Sequence, residues 1–368
     1  MCDLVSDAIL DACVQNDENS RVACTCCTKA GMIMILGEIT TSATINYEVI
    51  VRETLRQVGY DDVKRGLDYR SVNVIVAIEE QSTEVIPGTY VTRVQDICSE
   101  EQCVVFGYAS DETEGVLLPL THLLASSLAL RLTDVRKTGK LPWLRPDGKV
   151  LVTCEYSIHR GKILLERVHT IVICARHDDH GGGEMPEDLM KHVVRVAVPS
   201  HFIDDDTVYH LNSFGQCSSG HPHWDSGLSG RTTSCETCGG WVSHCGRGLS
   251  GRDARKMDRA GTYAARWIAK SLVKSRLCHR VLIQVSYAVG VSYPISLHVD
   301  TFGSGSCLSG KNDSDLVEIV KSNFDLRPGC IIRDLELMRP IMFQATKLGH
   351  FTPPLQQCAW EIPKKVTH

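Results

Sequence analysis

Residues Val150 to Cys174 read VLVTCEYSIHRGKILLERVHTIVIC. Two runs rich in Val, Ile, Leu and Thr, Val150–Tyr156 and Ile163–Cys174, flank Arg160-Gly161, the pattern of two strands joined by a tight turn. Upstream, Val116 to Leu130 carries leucines at 118, 120, 123, 124, 128 and 130, which suits a mostly buried helix. Its Pro119, His122, Ser126 and Ser127 exclude a bilayer crossing. Downstream, Pro186 followed by Glu187 and Asp188 opens a helix predicted from Glu187 to Val196. Helix, strand, strand, helix is therefore one unit of mixed structure.

The same mixture recurs on both sides. Before it, Leu4, Val5, Ala8, Ile9, Ala12 and Cys13 keep helical spacing, and a second helix spans about Ile45 to Val58, with Gly59 at the C-cap position. Val72–Ile78 reads as a buried strand. After it come a helix around Tyr263–Lys274, strands at Val281–Tyr287 and Ile295–Thr301, a helix at Asp315–Phe324 and a strand at Cys330–Leu335. Three sheet-plus-helix units in an α/β (α+β) chain are expected, with boundaries at 1–82, 95–215 and 217–355. A length of 368 residues accommodates that number.

Between the second and third units lies a different text. Residues 215–261 hold ten of the 29 glycines, interleaved with Asp225, Arg231, Glu236, Arg247, Arg252, Asp253, Arg255, Lys256, Asp258 and Arg259, so the segment is neither core nor plain linker. Glycines admit a phosphate to backbone N–H groups, Arg and Lys supply charge, and Asp can hold Mg²⁺. No Gly-Lys-Ser/Thr phosphate loop and no GxGxxG after a strand is present, which disfavours P-loop and dinucleotide-binding folds. A solvated loop and a zinc site are the competing readings. The zinc ligands would come from Cys235, Cys238, His244 or Cys245, with His221 and His223 nearby and a second CxxC at Cys24–Cys27.

The net charge of −5 argues against whole-chain binding to nucleic acid or to a membrane. Seventeen cysteines and an acidic N-terminal opening, Met1-Cys2-Asp3-Leu4, without a basic region fit a reducing, cytosolic setting.

A set of words in order then resembles the methionine adenosyltransferase (S-adenosylmethionine synthetase) family. They include Ser6-Asp7-Ala8-Ile9, Gly37-Glu38-Ile39-Thr40, Gly59-Tyr60-Asp61-Asp62 and Phe106-Gly107-Tyr108-Ala109-Ser110-Asp111-Glu112. Trp143-Leu144-Arg145-Pro146-Asp147, Arg167-Val168-His169-Thr170, Gly227-Leu228-Ser229-Gly230-Arg231, Tyr263-Ala264-Ala265-Arg266-Trp267, Phe324-Asp325-Leu326-Arg327-Pro328-Gly329 and Gly349-His350-Phe351 continue the set. The resemblance implies three similar domains in a pseudo-threefold arrangement. It implies transfer of the adenosyl group of ATP to the sulfur of L-methionine, with the tripolyphosphate cleaved to phosphate and diphosphate. Mg²⁺ and K⁺ are the implied cofactors, and a homodimer or dimer of dimers with shared sites the implied assembly. Sulfur needs no general base, so such a site works by alignment and by cations on the leaving triphosphate.

Carried over by position, Glu38, Gln81, Asp225 and Lys256 are implied methionine contacts. Asp147, Gly148, Lys149, Gly215, Cys217, Asp225, Arg231, Thr232, Gly248, Arg252 and Lys256 are implied ATP contacts. Arg231, Arg252 and Lys256 are the implied catalytic cations, and Asp258 the implied magnesium ligand. Departures accompany these matches. The family's His-Pro-Asp-Lys motif would fall just before the residues matching Met1-Cys2-Asp3. Thr25 stands where a glutamate binds potassium, Cys217 replaces an adenine-stacking phenylalanine, and Thr232 replaces a lysine. A Gly-Ala-Gly-Asp-Gln-Gly loop has become Cys98-Ser99-Glu100-Glu101-Gln102-Cys103, losing its hinge glycines. Two readings follow: a synthase with impaired activity, or a non-catalytic paralogue that pairs with and modulates an active subunit.

Overall fold

The computed structural model describes residues 1–63, 66–81, 93–178, 185–213, 226–231, 233–347, 349–352 and 358–367. Among the described residues three sheets are backed by helices, and a fourth, two-stranded one pairs Asp61–Asp62 with Leu67–Asp68. The first joins β1 (Arg21–Lys29), β2 (Met32–Thr40) and β3 (Asn73–Glu79), with β8 (Gly227–Leu228) as a short outer strand beside β1. β1 and β2 are antiparallel, whereas β2 and β3 run parallel. Helix α1 (Cys2–Asn16) packs on β1, and α2 (Tyr47–Val58) packs on α1 and β3. Asn46 caps α2 through its side chain, and Gly59 ends it in the left-handed region, as the sequence leads one to expect.

β4 (Cys103–Ser110) belongs to a different sheet from β3. It pairs along its length with β9 (Arg280–Tyr287), which pairs in turn with β10 (Ser296–Asp300). Between them in the chain lies the middle sheet. Its hairpin of β5 (Leu144–His159) and β6 (Lys162–His177) is longer than the sequence pattern suggests, and β7 (Val208–Leu211) adds in parallel to β6. Arg160 and Gly161 both take positive φ, as a tight hairpin turn of matching twist demands. Helix α3 (Leu120–Lys137) covers β5, and α4 (Met185–Leu189) runs on through a π-helical turn at Met190–Val194. This middle sheet has its own apolar core, while the first and third sheets share one.

Helix α5 (Met257–Lys274) crosses β4 and β9 at the centre of that shared core. Every one of its residues except Trp267 and Lys274 is at least nine-tenths buried.

Two expectations fail. Cys330–Leu335 is not a strand: helix α6 (Pro328–Asp334) occupies it, with Pro328 in the first turn, where its missing N–H costs nothing. The β-branched Ile331 and Ile332 suggested a strand, yet they are simply the buried face of a short helix. Likewise β3 is not buried: it is an edge strand, and Ile75 and Val76 are 40% and 45% exposed. Among the described residues no helix is long and apolar enough to cross a membrane.

Candidate active site

The glycine-rich text becomes a platform laid against β1. Cys24 donates its N–H to the Gly251 carbonyl (2.8 Å), Asp253 donates to the Val22 carbonyl (3.1 Å), and Ala23 and Arg252 form an antiparallel bridge. Gly251 is required there: its φ is +76°, and an added Cβ would lie 1.9 Å from the Cys24 carbonyl oxygen. Arg252 thus sits beside Ala23, whose partner across the hairpin is Glu38. Gln81, just beyond β3, donates its N–H to Thr40 (3.1 Å), so the implied methionine residues Glu38 and Gln81 share one end of this sheet.

Four residues after Arg252 comes Lys256, the residue that caps α5 at its N-terminus. Lys256 and Asp258 are buried, and Arg252 is half-buried. The cations here face acids from the segment before β4. Lys256 Nζ contacts Glu100, with Asp253 at 3.8 Å, and Arg252 donates to Glu101 at 3.0 Å. Arg247 reaches the same Glu101 at 2.5 Å, and Arg21 lies 3.9 Å from Glu100. Asp258 has Arg252 at 3.4 Å and Arg247 at 3.9 Å. Burial, then the facing Glu101, push the Asp258 carboxyl up to about 6 against the pull of those arginines. Burial would lower the Lys256 ammonium, but Asp253 and Glu100 outweigh it and raise it. The cations at the start of an 18-residue helix are groups suited to a polyanion, and the facing acids neutralise them in this structure.

Beneath this cluster lies a sealed network. Arg259 donates to both Asp7 carboxylate oxygens, at 2.7 and 2.9 Å, and Asp7 also accepts the Gly251 N–H at 2.7 Å. Arg259 further donates to the Arg252 carbonyl (3.2 Å) and the Tyr263 hydroxyl (3.1 Å), and Tyr263 is hydrogen-bonded to His350 at 2.9 Å. Burial works to raise the Asp7 carboxyl; the Arg259 charge and hydrogen bonds prevail and hold it below the usual range. This network fixes the backbone that presents Arg252.

A second group of implied residues gathers elsewhere. Asp147, Gly148 and Lys149 on β5, with Arg231, line a cavity of about 350 Å³ together with Asp3 and Tyr60. Asp3 accepts the Gly230 N–H at 2.7 Å, and Gly230 packs directly on Gly248, where an added Cβ would lie 2.2 Å from the Gly230 Cα. Arg231 is exposed and donates to the Ser226 carbonyl, and Asp147 has Arg176 at 3.7 Å. None of Arg252, Lys256 and Asp258 lines this cavity. Gly215, Cys217, Asp225 and Thr232 lie outside the described residues, as do His221 and His223.

Asp258 fits one role of a magnesium ligand: its Oδ2 is buried without a hydrogen-bond partner. Mg²⁺ in polyphosphate sites commonly takes one or two carboxylates and fills the rest with phosphate oxygens and water. Thr25, which the resemblance sets at a potassium position, lies on β1 and is neutral. The zinc reading finds no support: among the described residues no three His, Cys, Asp or Glu side chains converge as a metal group. Cys238 is buried, His244 is spent on Glu236 at 2.6 Å, and Cys24 and Cys27 fall on opposite faces of β1.

Glu100, Glu101, Arg247 and the Asp7–Arg259 pair are the site residues that sequence reading missed. The replaced loop Cys98–Cys103 held a usable signal, since it gained one acid, Glu100, beside the acid kept at Glu101, as it lost its glycines.

Comparison with family models covers nearly the whole chain. Residues 1–83 match the S-adenosylmethionine synthetase N-terminal domain, 96–217 the central domain and 219–362 the C-terminal domain. Three successive matches in the family's own order, over a mixed α/β structure, leave one conclusion: this chain belongs to the S-adenosylmethionine synthetase family.

Proposed function

We propose that the chain is an S-adenosylmethionine synthase, transferring the adenosyl group of ATP to the sulfur of L-methionine and releasing phosphate and diphosphate from the tripolyphosphate. The observation that carries this reading is the convergence of Arg252 and Arg247 on Asp258 at the start of α5, with Lys256 at that helix's N-cap. Attack by a thioether leaves no proton to remove, so the barrier falls by aligning sulfur with the ribose carbon and by stabilising the departing triphosphate. Lys256 and Arg252 serve that second task, and Arg231 acts on the same triphosphate from the cavity it lines with Asp147 and Lys149. Asp147, Gly148, Lys149 and Gly248 take the nucleotide, as do Gly215, Cys217, Asp225 and Thr232. Glu38 and Gln81 take methionine, together with Asp225 and Lys256. Asp258 is the residue that holds Mg²⁺, which when bound neutralises charge on the phosphate oxygens. With Thr25 lacking charge, K⁺ has at most a small effect in this reading.

A homodimer or dimer of dimers in the cytosol completes the proposal. The exposed Ile75 and Val76 on β3 and Leu151 and Ile158 on β5 support a buried assembly face. The test is formation of S-adenosylmethionine from ATP and methionine with Mg²⁺. Absence of product above background at high enzyme concentration sinks the reading.

The contacts of Glu100 and Glu101 on Lys256 and Arg252 favour a second reading, a non-catalytic subunit that pairs with an active one. Recovery of only separate homodimers on co-expression with an active homologue would dispose of it.

A further inference from the structure

His244 and Glu236 brace a short loop from both sides. Gly246 donates its N–H to His244 Nδ1 (3.0 Å), His244 Nε2 meets one Glu236 oxygen at 2.6 Å, and the other Glu236 oxygen accepts the Leu249 N–H (3.2 Å). Within the loop, the Cys245 thiol donates to the Arg247 carbonyl at 3.1 Å, and Arg252 donates to the Gly248 carbonyl at 3.0 Å. Gly246 turns the chain with a φ of +86°. Arg247 stands between Gly246 and Gly248, so its place is set by contacts that its own side chain does not make.

That side chain is 57% exposed, against 22% for Arg252 and 6% for Lys256, so the three cations run from the interior out to solvent. Among the described residues only its Nη1 makes a hydrogen bond, to Glu101, and the same nitrogen lies 3.9 Å from Asp258. An ion pair open to solvent on the arginine's side is weakly held, so a polyanion can draw the guanidinium from Glu101 at little cost. Its Nε and Nη2 remain to donate, and the guanidinium fork matches two oxygens of a phosphate. Behind it, the packing of Gly248 on Gly230 brings the backbones that carry Arg247 and Arg231 into contact. Arg231 lines the cavity with Asp147 and Lys149, whereas Arg252 faces Asp258 at the start of α5. Arg247 therefore stands at the seam between the two groups of implied residues.

We propose that Arg247 is a further catalytic cation of this site: it binds the triphosphate between Arg231 and Arg252 and stabilises its departure. The inference rests on the polyphosphate reading of Arg252 and Lys256. With Thr232 neutral where the resemblance sets a lysine, Arg247 supplies a positive charge that the leaving group needs. The braced loop keeps its backbone in place, and side-chain torsions alone carry the guanidinium from Glu101 to a phosphate oxygen.

The experiment is calorimetric titration of the full chain with inorganic tripolyphosphate. Arg247→Ala should bind it about 10- to 100-fold more weakly than wild type, the scale of one hydrogen bond to a charged group. Arg247→Lys keeps the charge on the same loop and should recover most of that loss. If Arg247→Ala binds as tightly as wild type while Lys256→Ala loses affinity, the proposal falls and the polyphosphate reading stands. An Arg247→Lys protein as weak as Arg247→Ala assigns the loss to the loop and likewise overturns the proposal. Absence of binding to wild type, or binding indifferent to both Arg247→Ala and Lys256→Ala, overturns the reading together with the proposal. Should Lys256→Ala not fold, Arg252→Ala takes its place as the control. A cooperative thermal transition certifies each protein used.

Discussion

Asp7–Arg259 and the Glu100–Lys256 contact lie within one helical turn of each other at the start of α5, and both pair an acid with a cation out of solvent. In the first, both carboxylate oxygens and all three guanidinium nitrogens find a partner: Arg259 and Gly251 on Asp7, with Thr346 donating to its second oxygen, and Asp7, Arg252 and Tyr263 around Arg259. In the second, Glu100 keeps one oxygen without a hydrogen bond, Arg21 lying 3.9 Å away, and the neighbouring Asp258 keeps one with Arg252 at 3.4 Å. A fully satisfied buried pair holds one arrangement, and breaking it leaves a stranded charge. An incompletely satisfied group keeps electrostatic capacity in reserve for something that arrives from outside. Position along one helix thus separates structural electrostatics from electrostatics left for a ligand.

The strongest way to break this contrast is Asp7→Ala. It strands the buried Arg259 guanidinium and removes the acceptor of the Gly251 N–H, so a loss of about 3–5 kcal/mol in unfolding free energy is expected. Chemical denaturation measures it, and a loss below about 1 kcal/mol, the scale of an exposed ion pair, would erase the distinction. Lys256→Ala should divide the other way. The rate of S-adenosylmethionine formation falls about 10²–10³-fold, the scale of removing one donor from a developing anion. Its stability should fall by less than that of Asp7→Ala. Equal destabilisation by the two substitutions would show that both clusters are structural.

Much of the fold could be read because its signals are local. Asn46 and Gly59 bracket α2 within one stretch of chain, and Arg160-Gly161 sets the β5–β6 turn by backbone conformation alone. Cys330–Leu335 misled because two adjacent isoleucines look alike on a buried strand and on a short buried helix; the nearby Pro328 was the better guide. Val72–Ile78 misled because apolar composition does not say whether a strand lies at a sheet's edge. The site divides on the same line. Arg252, Lys256 and Asp258 are close in sequence and come together on one turn and one helix start. Asp7 and Arg259 are 252 residues apart, and Glu101 and Arg252 are 151 apart. Nothing periodic in either segment announces its partner.

Asp11 sharpens the comparison most finely, because it stands one turn beyond Asp7 on the same face of α1 with no cation paired to it among the described residues. Its carboxylate instead accepts the backbone N–H groups of Met342 (3.0 Å) and Phe343 (2.8 Å), at the start of the helix Met342–Lys347. Those bonds do not offset the loss of solvent, and burial raises the carboxyl to about 6. The folded protein therefore holds this proton more tightly than the unfolded chain. The group's contribution to stability is fully present below about pH 4, the unfolded value, and is lost as pH rises through about 6. Asp11→Asn has no proton to lose. The melting-temperature difference between wild type and Asp11→Asn should accordingly shift in favour of wild type between pH 7 and pH 5, by the equivalent of about 1 kcal/mol. An unchanged difference would mean that the two N–H groups carry the Asp11 charge as well as Arg259 carries that of Asp7, and a cation would then not be what separates these two neighbours.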